Sequence, residues 1–212
     1  MTAGRPSLTQ MPSDAISNEW RIFIALRVPG EVRDHIEKTQ ADLRDTLARS
    51  VVRWTHREQF HLTLKFLGGV EVARLAELEA ALRSTVGGLT AFPLSAEGIG
   101  VFPDLRRARV IWAGVTSPHN ELAEVFRAVQ KGAREFSKEP IEEQFVGHVT
   151  LGRVKILKRD EARELGMLTS IITRRHFGKW IVQNVEIMRS ELSAAGAVHT
   201  LHAAIPLMPL GV

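Results

Sequence analysis

Two histidines in this chain carry the same short neighbourhood. His61-Leu62-Thr63-Leu64 recurs 87 residues later as His148-Val149-Thr150-Leu151, and both read His-aliphatic-Thr-Leu. In an extended strand, side chains at i and i+2 share a face, so each tetrad sets a histidine beside a threonine and buries its aliphatic pair on the other side. Imidazole, with an ordinary pKa of about 6.5, serves as either acid or base near neutrality. A pair of them suits in-line displacement at phosphorus, where one group takes a proton from the nucleophile and the other delivers one to the leaving oxygen opposite. The threonine hydroxyls are suited to hold the non-bridging oxygens between the rings. His61 and His148 are therefore the candidate catalytic residues, and Thr63 and Thr150 the candidate phosphate ligands.

Paired histidines also bind metals. A zinc site wants about three or four ligands, and no His-x-His, His-x-x-x-His or carboxylate-rich motif stands near either tetrad. Cysteine is absent, which removes thiolate sites, disulfides and cysteine nucleophiles. The expectation is no metal and no cofactor. Six other histidines, His35, His56, His119, His176, His199 and His202, have no repeated context and are read as surface or packing residues. A module that only binds nucleic acid would need Arg or Lys rather than two groups that titrate near neutrality, so the intact tetrads favour turnover.

The chain has 212 residues, 44% hydrophobic and 25% charged, enough for one compact domain or two small lobes sharing a core. Lysine and arginine outnumber acids 28 to 24, for a net charge of +4, which favours a polyanionic partner. The basic residues cluster at Arg53 and Arg57, at Arg106, Arg107 and Arg109, at Arg153 to Arg159, and at Arg174, Arg175 and Lys179. No apolar run approaches the roughly 18 residues of a spanning helix, and residues 1–17 lack the apolar segment of a secretory signal. We expect a disordered tail over residues 1–19, a single domain over 20–212, a monomer, no membrane association and a cytoplasmic setting.

The hydrophobic periods switch between two and 3.6 along the chain. Strands are expected at Arg21–Val28, His61–Leu67, Phe92–Val101, Arg109–Val115, Phe145–Val154, Trp180–Arg189 and Val198–Leu207, with a hairpin turn at Gly196. Helices are expected at Glu31–Ser50, Glu71–Val86, His119–Phe136 and Asp160–Thr173. Several connections are too short for parallel crossovers, so the class is α+β with antiparallel sheets. The repeated tetrad suggests two similar lobes facing one another.

At these residues the sequence resembles the two-histidine (2H) phosphoesterase superfamily, in particular its RNA 2′,3′-cyclic phosphodiesterase branch, also called 2′-5′ RNA ligase-like. Arg53-Trp54 with His61-Leu62-Thr63-Leu64-Lys65-Phe66-Leu67-Gly68 is similar to the first signature, and His148-Val149-Thr150-Leu151-Gly152-Arg153 to the second. Gly100-Val101-Phe102-Pro103 and Val110-Ile111-Trp112-Ala113-Gly114 resemble the central hairpin, and Ser190-Glu191-Leu192 with Gly196 the end.

The resemblance implies a bilobal pseudo-twofold fold, with two antiparallel sheets flanking a basic groove and helices outside. It implies hydrolysis of a terminal 2′,3′-cyclic phosphate on RNA to a 2′-phosphate, with His61 as general acid and His148 as general base. Action on 2′-5′ linkages, including ATP-independent ligation, and binding of RNA ends without turnover remain the alternatives. Arg153 becomes a candidate phosphate contact, although strict alternation from His148 would turn it away from the groove. Of the aromatics Trp54, Phe66 and Phe102, Phe102 is the candidate for base stacking. Phe66 shares the parity of Leu62 and Leu64 and is expected in the core. Two departures stand out: Gly147 where the family often has Pro, expected to loosen the second strand, and His199 where it often has Tyr.

Overall fold

Each half of the chain places its histidine on a strand at the middle of a curled antiparallel sheet. The computed structural model describes residues 18–138, 140–141, 144–173, 175–193 and 196–211. The tail expected over residues 1–19 therefore lies outside the described residues as far as residue 17, and Arg174 lies outside them too. Among the described residues, no helix is long and apolar enough to cross a membrane.

The strands are β1 (Glu19–Arg27), β2 (Val51–Trp54), β3 (His61–Glu71), β4 (Phe92–Phe102), β5 (Val110–Thr116), β6 (His148–Ile156), β7 (His176–Val182), β8 (Asn184–Ser193) and β9 (Gly196–Pro206). The helices are α1 (Gly30–Thr46), α2 (Leu75–Val86), α3 (Glu121–Gly132) and α4 (Arg159–Ile172). The strand order is β7-β4-β5-β6-β3-β1-β8-β9, with β2 added on β6. The two halves, β7-β4-β5-β6 and β3-β1-β8-β9, meet where Leu62 of β3 pairs with Val149 of β6. The two sheets expected from sequence are thus continuous through the strands that bear the tetrads.

The helices cross over. α1, which follows β1 in the chain, packs on β7 in the other half, and α3, which follows β5, packs on β3. α2 packs beside α3 and on β9, while α4 packs on β4 and touches α1. Each half is therefore roofed partly by a helix from its partner. The amphipathic spacing explains the roofs: Val32, Ile36 and Leu43 of α1 are buried, as are Leu122, Val125, Phe126 and Val129 of α3.

Three local readings are corrected. The hydrophobic period does not predict β2. Its four residues are too few to show one, and the strand exists because it extends the free edge of β6, from Trp54 opposite Gly152 to Val51 opposite Ile156. Its entry is anchored by buried Glu161 of α4, which accepts from the Arg49 amide at 2.8 Å and from the Ser50 hydroxyl. The strand expected at Trp180–Arg189 is two strands, because the pairing changes across Gln183, β7 laddering with β4 in one half and β8 with β1 in the other. Gly147 does not loosen β6. A Cβ there would meet the Val115 carbonyl and the Leu122 side chain, so only glycine lets the β6 entry pack that closely, and the Val115 amide donates to the Gly147 carbonyl at 2.8 Å.

Candidate active site

The two tetrads converge on one cleft. It has a volume of about 870 Å³, and its lining includes His61, Thr63, His148 and Thr150. The alternation works as expected over each tetrad, since Leu62, Leu64, Val149 and Leu151 are all buried while the polar residues face the opening.

Beyond the tetrads, alternation breaks in the same way on both strands. Against β1, Lys65 pairs with Ile24 and Thr63 with Ala25, which leaves Leu64 as an extra residue. Against β5, Gly152 pairs with Ile111 and Thr150 with Trp112, which leaves Leu151 extra. A bulge therefore follows each His-x-Thr at the leucine, and it shifts the parity of everything after it. Lys65 turns inward, 2% exposed, and donates to Gln130 Oε1 at 2.8 Å, while Phe66 turns out into the cleft, 54% exposed. The expectation that Phe66 packs in the core is corrected by this bulge. The matching bulge brings Arg153 into the cleft lining, which answers the parity objection to it. Phe66 and Arg153 each stand five residues after a catalytic candidate and occupy equivalent places on opposite strands.

Both histidines are oriented by one device. His61 Nδ1 lies 2.6 Å from the carbonyl of Gln59, and His148 Nδ1 lies 2.8 Å from that of Val146, in each case the residue two positions earlier. A carbonyl only accepts, so Nδ1 carries the proton in both rings and Nε2 is the nitrogen that can exchange one with a ligand. Sequence inspection alone would not find this, because the partners are main-chain atoms. Each ring is also walled by aromatics. Phe23 lies 4.8 Å from His61 between ring centroids, and Phe102 and Trp112 lie 5.1 and 6.2 Å from His148. Phe102, the stacking candidate, meets the His148 ring edge-on. Trp112 reaches its place by lying over Gly100, where a Cβ would collide with the indole.

His61 sits where its charged form is disfavoured. Burial, reinforced by nearby His199 and His148 and opposed by the Gln59 carbonyl, pushes His61 down to about 4. His199, expected from the sequence to be a surface or packing residue, lines the cleft and meets the His61 ring edge-on at 5.4 Å. It lies 138 positions along the chain from His61, and only the β8–β9 hairpin brings it there. Arg21, Arg53 and Arg153 line the same cleft, and Arg53 stands directly across the ladder from Arg153. Arg57, grouped with Arg53 in the sequence, is instead engaged by Asp34 and Glu37. Among the described residues, no group of three or more His, Cys, Asp or Glu side chains is arranged to hold a metal ion.

Comparison with known proteins agrees with this geometry. Residues 26–112 match the family described as LigT-like phosphoesterase. A Methanothermobacter thermautotrophicus protein named RNA 2′,3′-cyclic phosphodiesterase is 36% identical over 185 residues, covering 85% of this chain and 95% of the relative. Its namesake from Aquifex aeolicus is 30% identical over 183 residues, covering 84% and 91%. A crystal structure from Thermus thermophilus superposes with a TM-score of 0.71 at 26% identity, covering 89% of this chain and 98% of the other. Escherichia coli LigT, crystallised with 3′-AMP, shares the fold at a TM-score of 0.69 and 22% identity, with the same coverages. Repeated tetrads on facing strands and relatives of this similarity agree, and the chain belongs to the LigT-like, two-histidine phosphoesterase family.

Proposed function

We propose that this protein opens a 2′,3′-cyclic phosphate at the end of an RNA to give a 2′-phosphate, using His61 and His148 and no metal. The observation that carries the reading is the shared orientation device, in which each ring donates from Nδ1 to the carbonyl two residues back, so that two Nε2 atoms serve one cleft. The relatives' name, RNA 2′,3′-cyclic phosphodiesterase, supports the same substrate.

In this reading the cyclic phosphate lies between the rings, with its non-bridging oxygens on the hydroxyls of Thr63 and Thr150 and on Arg153. Water attacks phosphorus and loses its proton to His148. The P–O3′ bond breaks opposite, and His61 gives a proton to the departing O3′, leaving a 2′-phosphate and a 3′-hydroxyl. Burial holds His61 neutral, so it acquires its proton together with the substrate, whose negative charge favours the imidazolium. Phe66 and Phe102 are the faces on which the terminal base stacks.

The test is incubation of the purified protein with an oligoribonucleotide ending in a 2′,3′-cyclic phosphate, with and without chelator. A 2′-phosphate product, indifferent to chelator and reduced at least about 10²-fold by His61→Ala or His148→Ala, is the expected result. An untouched cyclic end would overturn the substrate, and full loss with chelator would overturn the metal-free chemistry.

A further inference from the structure

The cleft holds a third imidazole for which two-histidine chemistry has no use. His199 stands on β9 opposite Ser190 of β8, and its ring meets Phe23 and His61 edge-on, at 4.9 and 5.4 Å between centroids. One residue bonds both to His61 and to the strand that carries His199. The Gln59 side-chain amide donates to the Ala197 carbonyl on β9, while the Gln59 main-chain carbonyl accepts from His61 Nδ1. The hairpin that carries His199 is thereby tied to the segment that fixes the His61 tautomer.

The two rings differ in hydrogen bonding. His199 Nδ1 is buried with no partner, and neither of its ring nitrogens bonds to a described residue. An orphaned buried N–H is rarer than an orphaned buried acceptor. The neutral ring therefore keeps its lone pair at Nδ1 and its proton at Nε2, the nitrogen that is not buried. Burial of the ring also favours the neutral form. His61 and His148, by contrast, carry their protons on Nδ1.

The pseudo-twofold sharpens the point. On the opposite lobe the aromatic neighbours of His148 are Phe102 and Trp112, whereas His61 has Phe23 and the imidazole of His199. Packing alone would be satisfied by a carbon ring, which leaves no buried nitrogen without a partner. A second imidazolium at this distance would oppose protonation of His61. A neutral N–H donor adds a hydrogen bond to an anion without competing for the proton.

We propose that His199 contacts substrate, donating its neutral Nε2–H to a phosphate oxygen of the bound RNA end on the His61 side of phosphorus. The His199 ring lines the same cleft as His61 and stands 5.4 Å from it between centroids, close enough for one phosphate group to meet both. The proposal rests on the function given above, and it adds a donor of the kind that stabilises developing negative charge in a water-poor site.

The experiment compares the full-length wild type with His199→Phe and His199→Gln. Binding of inorganic phosphate is measured by calorimetry, kcat and KM on RNA with a cyclic end, and folding by thermal melts. His199→Phe should melt at or above the wild-type temperature, bind phosphate about 10-fold more weakly and lose about 10- to 100-fold in kcat/KM. His199→Gln, whose amide donates without a charge, should recover most of both. Unchanged phosphate affinity in His199→Phe would overturn the proposal, and so would an equal loss in the Phe and Gln variants. A wild type that binds phosphate through His199 yet leaves the cyclic end intact would sink the assigned reaction and spare the donor.

Discussion

Gln40 of α1 and Gln130 of α3 perform the same task on opposite lobes. Both are buried, and each donates from Nε2 to the carbonyl of a bulged leucine, Gln40 to Leu151 at 2.8 Å and Gln130 to Leu64 at 3.1 Å. Each also accepts a cation on Oε1, Gln40 from Arg44 at 2.9 Å and Gln130 from Lys65 at 2.8 Å. A bulge leaves a carbonyl out of the ladder, and a buried carbonyl needs a partner. The crossed helices supply it. Replacing Gln40 by Leu should therefore destabilise the fold by about 1–3 kcal/mol, seen as a lower urea midpoint. If the bulge relaxes as well, Arg153 loses its outward parity and KM for the cyclic-ended RNA should rise.

Arg53 and Arg153 oppose one another across the β2–β6 ladder, an arrangement that costs a few tenths of a kcal/mol in the absence of an anion. Arg153→Ala should leave the free protein at least as stable as wild type while weakening RNA binding. The slope of log affinity against log salt should fall by about one, the value for one lost phosphate contact. An unchanged slope would remove Arg153 from the phosphate site.

Phe66 is an exposed aromatic held on a strand, so its loss touches little of the core. Phe66→Ala should change stability by no more than about 0.5 kcal/mol and weaken binding of the RNA end by roughly 1–3 kcal/mol, the range for one lost base stack. Phe66→Trp should bind as wild type does. A comparison of melts with fluorescence titrations of a labelled oligoribonucleotide separates the two effects.

The depressed pKa of His61 has a definite sign in stability. The folded chain keeps this ring neutral down to about 4, whereas the unfolded chain protonates it near 6.5, so the unfolded state binds more protons between those values. Stability should fall as pH drops from about 6.5 towards 4, by up to about 3 kcal/mol, and level off for this group below that. His199 adds to the trend in the same direction. Urea midpoints at pH 7 and pH 4.5 should differ less in His61→Phe than in wild type.

The same depression predicts that phosphate binding consumes a proton. Calorimetry at pH 6.5 in two buffers of different ionisation enthalpy should give different apparent heats for inorganic phosphate, and His61→Phe should bring them together.

The tetrads, the strand faces they create and the four amphipathic helices are legible in the sequence because each obeys a simple period. What escapes it is every departure from period. Alternation sends Phe66 to the core and turns Arg153 away from the groove for one reason, an extra residue at Leu64 and at Leu151 that it cannot anticipate. β2 is only four residues long and takes its pairing from β6, so its own residues carry almost no signal. His199 enters the site through a hairpin and a bond from Gln59, both long-range relationships. Gly147 reads as slack in the sequence, although the carbonyl of Val115 and the side chain of Leu122 leave room for nothing larger.

The pairing of Leu62 with Val149 joins the two halves between the histidines, and it is the one rung of β3 against β6 among the described residues. A seam that narrow is only part of the join, and the crossed helices supply the rest, α1 packing on β7 and α3 on β3. Each imidazole is pinned within its own half by a carbonyl two residues away, so the aim of each ring is a local matter while the gap between them depends on how the halves are joined. The reach from one imidazole to the other is thus a property of the whole join, held by one rung of sheet and by helices that each belong to one half and rest on the other.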